Sequence, residues 1–230
     1  MSNLGFRIFP PKRAPREVVK LYAGFVTPNV SDNMNRMNGA CSAIRPMHRG
    51  RRTLVGSAFT VRTRPGDNLI VHKALDMLEP GDALVVDAGG DTTNAILGEI
   101  MMRIAIKNGA AGIVVDGAIR DAGAFSESDF PCFARGATHR GPYKDGPGEI
   151  GIPVSIGGAI VKPGDIVVGD ADGVVFVPLE EAKEVAEQVR ETMRKEAATM
   201  REIEAGTLDR SWIDRTLKQR GCQWIGSEEM

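Results

Sequence analysis

The sequence has 230 residues, 42% of them hydrophobic, which is enough to bury the core of one α/β domain. Its 29 basic and 30 acidic side chains give a net charge of -1, which excludes a strong field that would recruit nucleic acid. Three widely spaced cysteines without a Cys-x-x-Cys pair exclude a disulfide framework, and no apolar run reaches membrane-spanning length. We therefore expect a cytoplasmic protein with no nucleic-acid partner and no membrane partner.

The N-terminal part is predicted to be an arm followed by two short helices. Residues 1–14 are rich in Pro, Arg and Lys, which is typical of an extended arm. Pro15 suits the first turn of a helix that continues through Tyr22. Ser31 is a suitable N-cap for a second helix over residues 32–37.

The middle of the chain alternates between strand and helix patterns. Its predicted elements are strands over residues 54–64, 83–87 and 112–116, helices over 68–78 and 95–107, and a loop over 117–124. The short apolar runs are typical of parallel strands that are buried on both faces. Strands that alternate with helices predict an α/β fold, here a layered α/β/α sandwich with a mixed, partly parallel central sheet.

The C-terminal part changes from short strands to helices. The predicted elements are strands over residues 132–135, 154–156, 159–161, 166–169 and 173–177, helices over 179–205 and 211–218, and a terminal strand over 222–225. We accordingly divide the chain into an N-terminal arm (1–14), an α/β domain (15–178) expected to carry any active site, and a C-terminal helical extension (179–230). The long charged helix of the extension is either a solvated face or an arm that contacts a neighbouring subunit.

Acidic residues and glycines follow two of the buried strands. Ligands of open α/β sheets bind outside the carboxyl ends of parallel strands. The ends of the strands predicted over residues 83–87 and 112–116 are therefore expected to meet at one crevice if these strands are neighbours. Each residue also has a purely structural interpretation. Asp87 and Asp116 can cap turns, Glu99 can be a solvated charge, and Arg120 with Asp121 can be a surface ion pair worth under about 1 kcal/mol.

Three motifs resemble the RraA-like family. They are Val115-Asp116-Gly117-Ala118-Ile119-Arg120-Asp121, Gly98-Glu99-Ile100 and Gly169-Asp170-Ala171-Asp172-Gly173-Val174-Val175. The family includes class II pyruvate aldolases acting on 4-hydroxy-4-methyl-2-oxoglutarate and 4-carboxy-4-hydroxy-2-oxoadipate. It also includes the ribonuclease E activity regulator, and some members carry a menaquinone methyltransferase label. The resemblance spans residues 19–179.

The resemblance implies a divalent-metal-dependent lyase that cleaves 4-hydroxy-2-oxo acids to pyruvate and a second keto acid. Oxaloacetate decarboxylation is implied as a side activity, because both reactions need the same enolate to be stabilised. One alternative is a non-catalytic regulator of ribonuclease E-type protein partners. The other is a methyltransferase, for which the glycines of residues 87–90 do not form the Gly-x-Gly-x-x-Gly pattern of a nucleotide-binding loop.

The resemblance also implies roles for individual residues. Arg120 binds the substrate carboxylate and keto oxygen, and Asp121 holds Mg²⁺ or Mn²⁺. These residue types suit the chemistry, because a guanidinium offers planar paired donors and a hard cation prefers carboxylate oxygen. The implied substrate-binding set is Gly98, Glu99, Ile100, Met101, Arg120 and His72. Glu99 stands where family aldolases can carry Asp.

A further glutamate is implied to come from another copy of the chain. Family aldolases use a Glu on the C-terminal helix of an adjacent subunit, and Glu196 is the best match, so the implied catalytic set is Arg120, Glu99 and Glu196. A shared site implies a homo-oligomer, either a trimer or a hexamer. Arg140, Lys144 and the C-terminal tail are candidates for recognising a distal carboxylate of the keto acid substrate.

A Schiff-base aldolase mechanism is not expected. It needs a lysine whose amine is desolvated. The lysines considered are Lys73, Lys107, Lys144 and Lys162. All four lie in polar or turn surroundings, which favours the metal-dependent mechanism.

Overall fold

This computed structural model describes residues 5–49 and 52–225, in which ten strands form one mixed sheet and two more form a separate antiparallel hairpin. The strands, in chain order, are β1 (Phe6–Ile8), β2 (Arg45–Pro46), β3 (Leu54–Thr63), β4 (Asp82–Asp87), β5 (Ala95–Leu97), β6 (Gly112–Ile119), β7 (Cys132–Ala137), β8 (Gly148–Ile150), β9 (Val154–Ile156), β10 (Ala159–Val161), β11 (Ile166–Asp170) and β12 (Gly173–Val177). The helices are α1 (Arg16–Lys20), α2 (Thr27–Asp32), α3 (Leu69–Met77), α4 (Glu99–Lys107), α5 (Ala122–Ser126), α6 (Ala182–Ala205) and α7 (Trp212–Gln219).

The centre of the sheet is the parallel set β3, β4, β6 and β7. Strands β8 and β11 both pair with β3 in antiparallel orientation. Strand β1 then pairs with β8, strand β12 pairs with β11, and β2 pairs with β7 at the other side of the sheet. Strand β5 pairs with the last residues of β6, beyond the segment that pairs with β4. Several chain segments therefore approach the carboxyl end of β6.

One cluster of buried hydrophobic residues lies on each face of the sheet. On one face, side chains of α3 and α4, such as Leu75 and Met102, pack against strand residues such as Val86. On the other face, side chains of the β9–β10 hairpin, including Ile156, pack against Val114. Every residue of β6 is buried, which explains its nearly continuous apolar sequence. The predicted α/β class, with a mixed and partly parallel sheet and a long C-terminal helix, is confirmed.

Two predicted boundaries next to the candidate site are wrong. The helix expected over residues 95–107 begins only at Glu99, because residues 95–97 are buried and pair with β6 as a strand. The loop expected over residues 117–124 is much shorter, because β6 continues to Ile119 and α5 begins at Ala122. Only Arg120 and Asp121 therefore separate β6 from the next helix.

Other errors lie at the two ends of the chain. The helix expected over residues 32–37 lies earlier, at Thr27–Asp32, and the left-handed φ values of Asn35 (54°) and Arg36 (61°) prevent its continuation. Residues 222–225 form no strand. The short strands β1, β2 and β8 were not predicted. Helix α5 was not predicted either, and the other strands and helices that were predicted are confirmed with shifts of a few residues at their ends.

Contacts divide the chain into two units, residues 1–189 and 190–230. The first unit contains the whole sheet and both buried clusters. In the second unit, none of the described residues 190–225 is buried, and Trp212 and Trp224 are exposed. The divisions at residues 14 and 178 stay predictions. Among the described residues, no helix is both long and apolar enough to cross a membrane.

Candidate active site

A cavity of about 190 Å³ lies at the carboxyl ends of β5 and β6. It is lined by Asn68, His72, Leu97, Gly98, Ile100, Met101, Arg120, Asp121, Pro142 and Lys144. The structure therefore brings together most of the residues that the sequence analysis selected. Among the residues with an implied catalytic, substrate-binding or metal-binding role, Glu99 and Glu196 do not line this cavity, and neither does Arg140, a candidate for a distal carboxylate.

Gly98 separates β5 from α4 and lets the end of β6 pack directly against the loop. Its backbone is extended, with φ -143° and ψ -165°, so the glycine is not required by its backbone angles. A Cβ atom at this position would overlap Asp121 Oδ2 and lie 2.9 Å from Arg120 Cγ. Glycine is therefore required by the close approach of the Arg120 and Asp121 side chains.

Asp121 adopts a left-handed backbone conformation, with φ 58° and ψ 40°. This conformation is unfavourable for most residues but tolerated by Asp and Asn. It lets Asp121 Oδ2 accept a hydrogen bond from the Glu99 backbone N–H at 3.0 Å. The Arg120 backbone N–H donates to Leu97 O at 2.9 Å, so one hydrogen bond joins the residues after β6 to the end of β5 and a second joins them to the start of α4.

The side chain of Arg120 extends from Gly98 towards Gly141. A Cβ atom placed on Gly141 would lie 3.3 Å from Arg120 Nη1. The Arg120 Nε atom is 3.7 Å from Asp121 Oδ2, which is too far for a hydrogen bond, and the two side chains are 44% and 43% exposed. The two glycines therefore leave room for the Arg120 side chain, whose guanidinium keeps donors that can bind a ligand in the cavity.

The first turn of α4 offers backbone N–H groups to the same cavity. A helix leaves its first N–H groups without partners inside the helix. Here Glu99 N donates to Asp121 and Met102 N donates to Gly98 O at 3.1 Å. Ile100 and Met101 lie between them and line the cavity. Their N–H groups suit a bound carboxylate, which also interacts favourably with the helix dipole.

His72 and Lys144 form a further part of the cavity wall. Burial lowers the pKa of His72 below its ordinary value, the positive charge of Lys144 lowers it further, and Asp76 partly opposes both. The His72 imidazole is therefore neutral near pH 7. Lys144 was foreseen only as one of several candidates for a distal carboxylate.

Asn68 lines the cavity and was missed by the sequence analysis. It precedes α3 but its side chain does not cap that helix. Instead, Asn68 Nδ2 donates to Ile96 O at 2.9 Å and contacts Met101 Sδ at 3.3 Å. An Asn before a helix ordinarily indicates a cap, so the sequence contains no signal for this role.

Glu99 contributes its backbone to the site, and its carboxylate lies elsewhere. Glu99 Oε1 is 2.6 Å from Arg103 Nη2, one helical turn along α4. The side chain lines a neighbouring cavity of about 610 Å³ together with residues of α4 and α5. The predicted catalytic role of the Glu99 carboxylate stays a prediction. The same holds for Glu196, which is exposed on α6 in the second unit.

Asp87 and Asp116 are bound by backbone groups and do not line the cavity. The two oxygens of Asp87 accept hydrogen bonds from Gly89 N at 3.0 Å and Ser155 N at 3.1 Å. Asp116 accepts from Arg135 Nε and, at 2.7 Å, from Gly157 N. Strands β4 and β6 are neighbours as expected, but their acidic residues do not meet Arg120 in one crevice. Their structural interpretation is the correct one.

The donor set at Asp121 fits a loosely held hard cation. Among residues 5–49 and 52–225, no cluster of three or more His, Cys, Asp or Glu side chains is placed to hold a metal. A structural zinc site needs such a cluster. Mg²⁺ is commonly bound by one or two carboxylates, several waters and the substrate, and the half-exposed Asp121 suits that kind of binding.

A larger cavity, of about 290 Å³, lies at the amino end of β4. Arg13 in its wall donates to Asp82 at 3.0 Å and lies 3.0 Å from Glu79 Oε1. Ala14 N donates to Ser57 Oγ at 2.9 Å. These contacts anchor the N-terminal segment to the sheet, and no group in them resembles catalytic machinery.

Comparison with known proteins identifies a family. The RraA-like family, described as Aldolase/RraA, matches residues 27–176. A Halalkalibacterium halodurans protein provisionally named 4-hydroxy-4-methyl-2-oxoglutarate aldolase is 41% identical over 174 residues, which is 76% of this chain and 82% of that protein. A Thermus thermophilus 4-hydroxy-4-methyl-2-oxoglutarate aldolase is 36% identical over 129 residues, or 56% of this chain and 78% of that protein.

A solved structure points to a different activity within the same fold. Streptomyces coelicolor RraAS2 is described as an unusual member of the RNase ES inhibitor RraA protein family. It superposes with a TM-score of 0.73 at 28% identity, covering 82% of this chain and 100% of that one. Proteins similar to this chain therefore carry both aldolase and inhibitor names, and the names alone do not tell which activity this chain has.

Proposed function

Because this chain belongs to the RraA-like family, we propose that it is a divalent-metal-dependent lyase that cleaves 4-hydroxy-2-oxo acids to pyruvate and a second keto acid. Family membership alone does not separate an aldolase from an inhibitor. The observation that carries the proposal is the placement of Arg120, Asp121 and the first turn of α4 on one cavity. An oxo acid needs this combination of guanidinium, carboxylate-held cation and backbone amides.

The reaction breaks a carbon–carbon bond and leaves its electron pair on the pyruvyl fragment as an enolate. The hydroxyl group loses its proton as the second keto acid forms, and the enolate carbon later gains a proton to give pyruvate. Negative charge develops on the C2 oxygen, where the guanidinium of Arg120 donates hydrogen bonds. Gly98 and Gly141 leave the space beside Arg120 free of side chains, so its donors can approach that oxygen.

The carboxylate of the substrate binds at the start of α4 in this proposal. The Ile100 and Met101 N–H groups bind its oxygens, and Arg120 adds a second, planar pair of donors. Mg²⁺ or Mn²⁺ held by Asp121 would supply Lewis-acid polarisation of the substrate oxygens. Asp121 is kept in place for this role by the Glu99 N–H and by its own left-handed backbone.

Proton transfer is assigned to Glu99 and Glu196 as part of the proposal. Glu99 pairs with Arg103 in an exposed pair four residues apart on α4, and such pairs contribute only about 0.5 kcal/mol. The Glu99 carboxylate can therefore turn to a water in the cavity at little cost. Glu196 would come from a neighbouring copy in a homo-oligomer, either a trimer or a hexamer. The exposed Trp212 and Trp224 of the second unit favour such a partner.

Oxaloacetate decarboxylation fits the same groups. Loss of carbon dioxide from oxaloacetate also leaves pyruvate enolate, so Arg120 and the α4 amides stabilise the same charge. No second set of residues is needed. We propose this side activity together with the aldolase activity, in a cytoplasmic enzyme.

The second candidate is a regulator that binds a ribonuclease E-type protein. The observation that favours it is the similarity to RraAS2. Such a protein needs a binding surface but no aligned Arg120, Asp121 and α4 amides. The two candidates therefore differ in whether the cavity turns over an oxo acid.

The test is an assay of pyruvate release, coupled to lactate dehydrogenase, with 4-hydroxy-4-methyl-2-oxoglutarate and with oxaloacetate. Each substrate is measured with and without Mg²⁺, and light scattering gives the oligomeric state at the assay concentration. We expect turnover of both substrates that depends on the metal and on an oligomer. Absence of pyruvate from both substrates, with a folded protein that lowers ribonuclease E activity, would establish the regulator instead.

A further inference from the structure

Asn68 Oδ1 is a buried acceptor without a hydrogen-bond partner in the described part of the chain. The residue is 2% exposed and belongs to the wall of the candidate cavity. Buried polar atoms are normally paired, because an unpaired one loses its bonds to water and gains nothing in return. An orphan acceptor in the wall of a ligand cavity therefore indicates a donor that arrives with the ligand.

The orientation of the Asn68 amide is determined by its neighbours. Nδ2 donates to Ile96 O at 2.9 Å and contacts Met101 Sδ at 3.3 Å. Exchanging the amide nitrogen and oxygen would bring Oδ1 against the Ile96 carbonyl oxygen, where both atoms are acceptors. Oδ1 is consequently the atom of the amide that has no hydrogen-bond partner, and as an acceptor it can pair only with an O–H or N–H group.

Most polar groups of the proposed substrate cannot supply that hydrogen. Its carboxylates are ionised near pH 7 and its keto oxygen has no proton, so all of them are acceptors. The 4-hydroxyl group is the only donor that the substrate carries. It is also the group that distinguishes a 4-hydroxy-2-oxo acid from oxaloacetate, which has no hydroxyl group.

We infer that Asn68 Oδ1 accepts the hydrogen bond of the substrate 4-hydroxyl group and that Asn68 therefore selects hydroxylated oxo acids. The inference rests on the proposed lyase function. An amide oxygen is too weak a base to take the proton, so Asn68 orients the hydroxyl group while another group removes its hydrogen. Oxaloacetate makes no use of this contact.

The two proposed reactions give the inference an internal control. Asn68→Leu preserves the size of the side chain but removes Oδ1 and Nδ2. Asn68→Ala removes both atoms without adding bulk, in case Leu disturbs the fold. Both variants are assayed for kcat and KM with 4-hydroxy-4-methyl-2-oxoglutarate and with oxaloacetate at saturating Mg²⁺.

Asn108→Leu is the matched control variant. Asn108 Nδ2 donates to Leu75 O at 2.8 Å, which is the same kind of side-chain bond to a backbone carbonyl. Asn108 does not line the candidate cavity. Its replacement removes a comparable structural bond and should leave the ratio of the two activities unchanged.

We expect the Asn68 variants to lower kcat/KM for the hydroxy acid about three- to tenfold relative to oxaloacetate, the loss typical of one hydrogen bond. An equal loss for both substrates would show that Asn68 only holds the β5–α4 loop, and the inference would be wrong. Unchanged rates for both would overturn it as well. Wild-type protein inactive on both substrates is a separate result, which removes the proposed function and this inference with it before any variant is made.

Discussion

Two pairs of arginine and aspartate can be compared, one formed by Asp116 on β6 with Arg135 on β7 and one formed by Arg120 and Asp121 just beyond the end of β6. Asp116 is buried within the strand, and its two oxygens are bound by Arg135 and by the Gly157 N–H. Arg120 and Asp121 follow the strand, are each nearly half exposed, and are 3.7 Å apart at their nearest atoms. The residue types are the same, but the first pair is saturated and the second is open to the cavity.

The difference shows that hydrogen-bond occupancy distinguishes a structural pair from a candidate catalytic pair. A buried carboxylate with both oxygens bound by the protein is less available to a ligand than a half-exposed one. The left-handed backbone of Asp121 instead leaves its carboxylate with one backbone donor, and the two glycines beside Arg120 leave room for its donors to act. Each prediction below perturbs one of these pairs or the cavity beside the open one.

Removal of the metal should have the largest effect. Asp121 is its proposed protein ligand, so binding should be reversible, and EDTA should abolish pyruvate release without lowering the thermal melting temperature. Added Mg²⁺ or Mn²⁺ should restore the activity. Full turnover in excess chelator would contradict the metal-dependent mechanism.

Substitution of Arg120 and of Arg135 should have the second largest effect and should distinguish the two pairs by their effect on kcat. Arg120→Lys keeps the charge and loses the planar pair of donors, so kcat for oxaloacetate should fall about 10²- to 10³-fold. Arg120→Ala should fall further. Arg135→Lys, the matched change in the saturated pair, should leave kcat nearly unchanged in the folded protein. Near-normal turnover by Arg120→Lys would remove Arg120 from the role of enolate stabiliser.

The same change at the two aspartates should give opposite outcomes. Asp121→Asn suits the left-handed backbone and keeps an acceptor for the Glu99 N–H, so it should lose metal-dependent turnover while its melting temperature stays close to wild type. Asp116→Asn should keep turnover and lose about 1–3 kcal/mol of stability, because Arg135 loses its charged partner. The measurements are kcat at saturating Mg²⁺ and denaturant unfolding. If Asp116→Asn lost activity and kept its stability, the comparison of the pairs would fail.

The smallest effect concerns His72 in the cavity wall. Its pKa is lowered from the ordinary 6.5 by burial and by Lys144. The unfolded chain therefore binds a proton more readily, and the folded protein should lose a little stability as the pH falls through about 6.5. Lys144→Met should raise the pKa of His72, as measured by NMR titration. Lys73→Met is the control, and an equal shift in that variant would argue against the assigned cause.

The parallel centre of the sheet could be predicted because its strands are short apolar runs bounded by glycine and proline turns. Strand β5 could not, since its three buried apolar residues fit the helical pattern of the following α4 equally well. The end of β6 was placed too early for a related reason. Its last residues are paired by β5, so the error in one element caused the error in the other.

The site was predictable where its residues are adjacent in the sequence. Arg120, Asp121 and the Gly98 loop form motifs, and the structure places them together. Asn68 and Pro142 reach the cavity from other parts of the fold, so only tertiary structure relates them to Arg120. The position of the Glu99 carboxylate depends on a local pairing with Arg103 that the motif does not contain.

The crowding around Gly98 has a consequence for how such proteins diverge. A methyl group at this position would collide with the Asp121 carboxylate and lie 2.9 Å from Arg120 Cγ, so alanine is acceptable only after both neighbouring side chains have moved or changed. Substitutions at Gly98 and at these two neighbours are therefore epistatic, and the order in which they occur matters. A lineage that replaces both Arg120 and Asp121 becomes free to lose the glycine, whereas one that keeps both retains the glycine with them. Gly98 can in this way serve as a marker of whether the cavity is still under selection for chemistry.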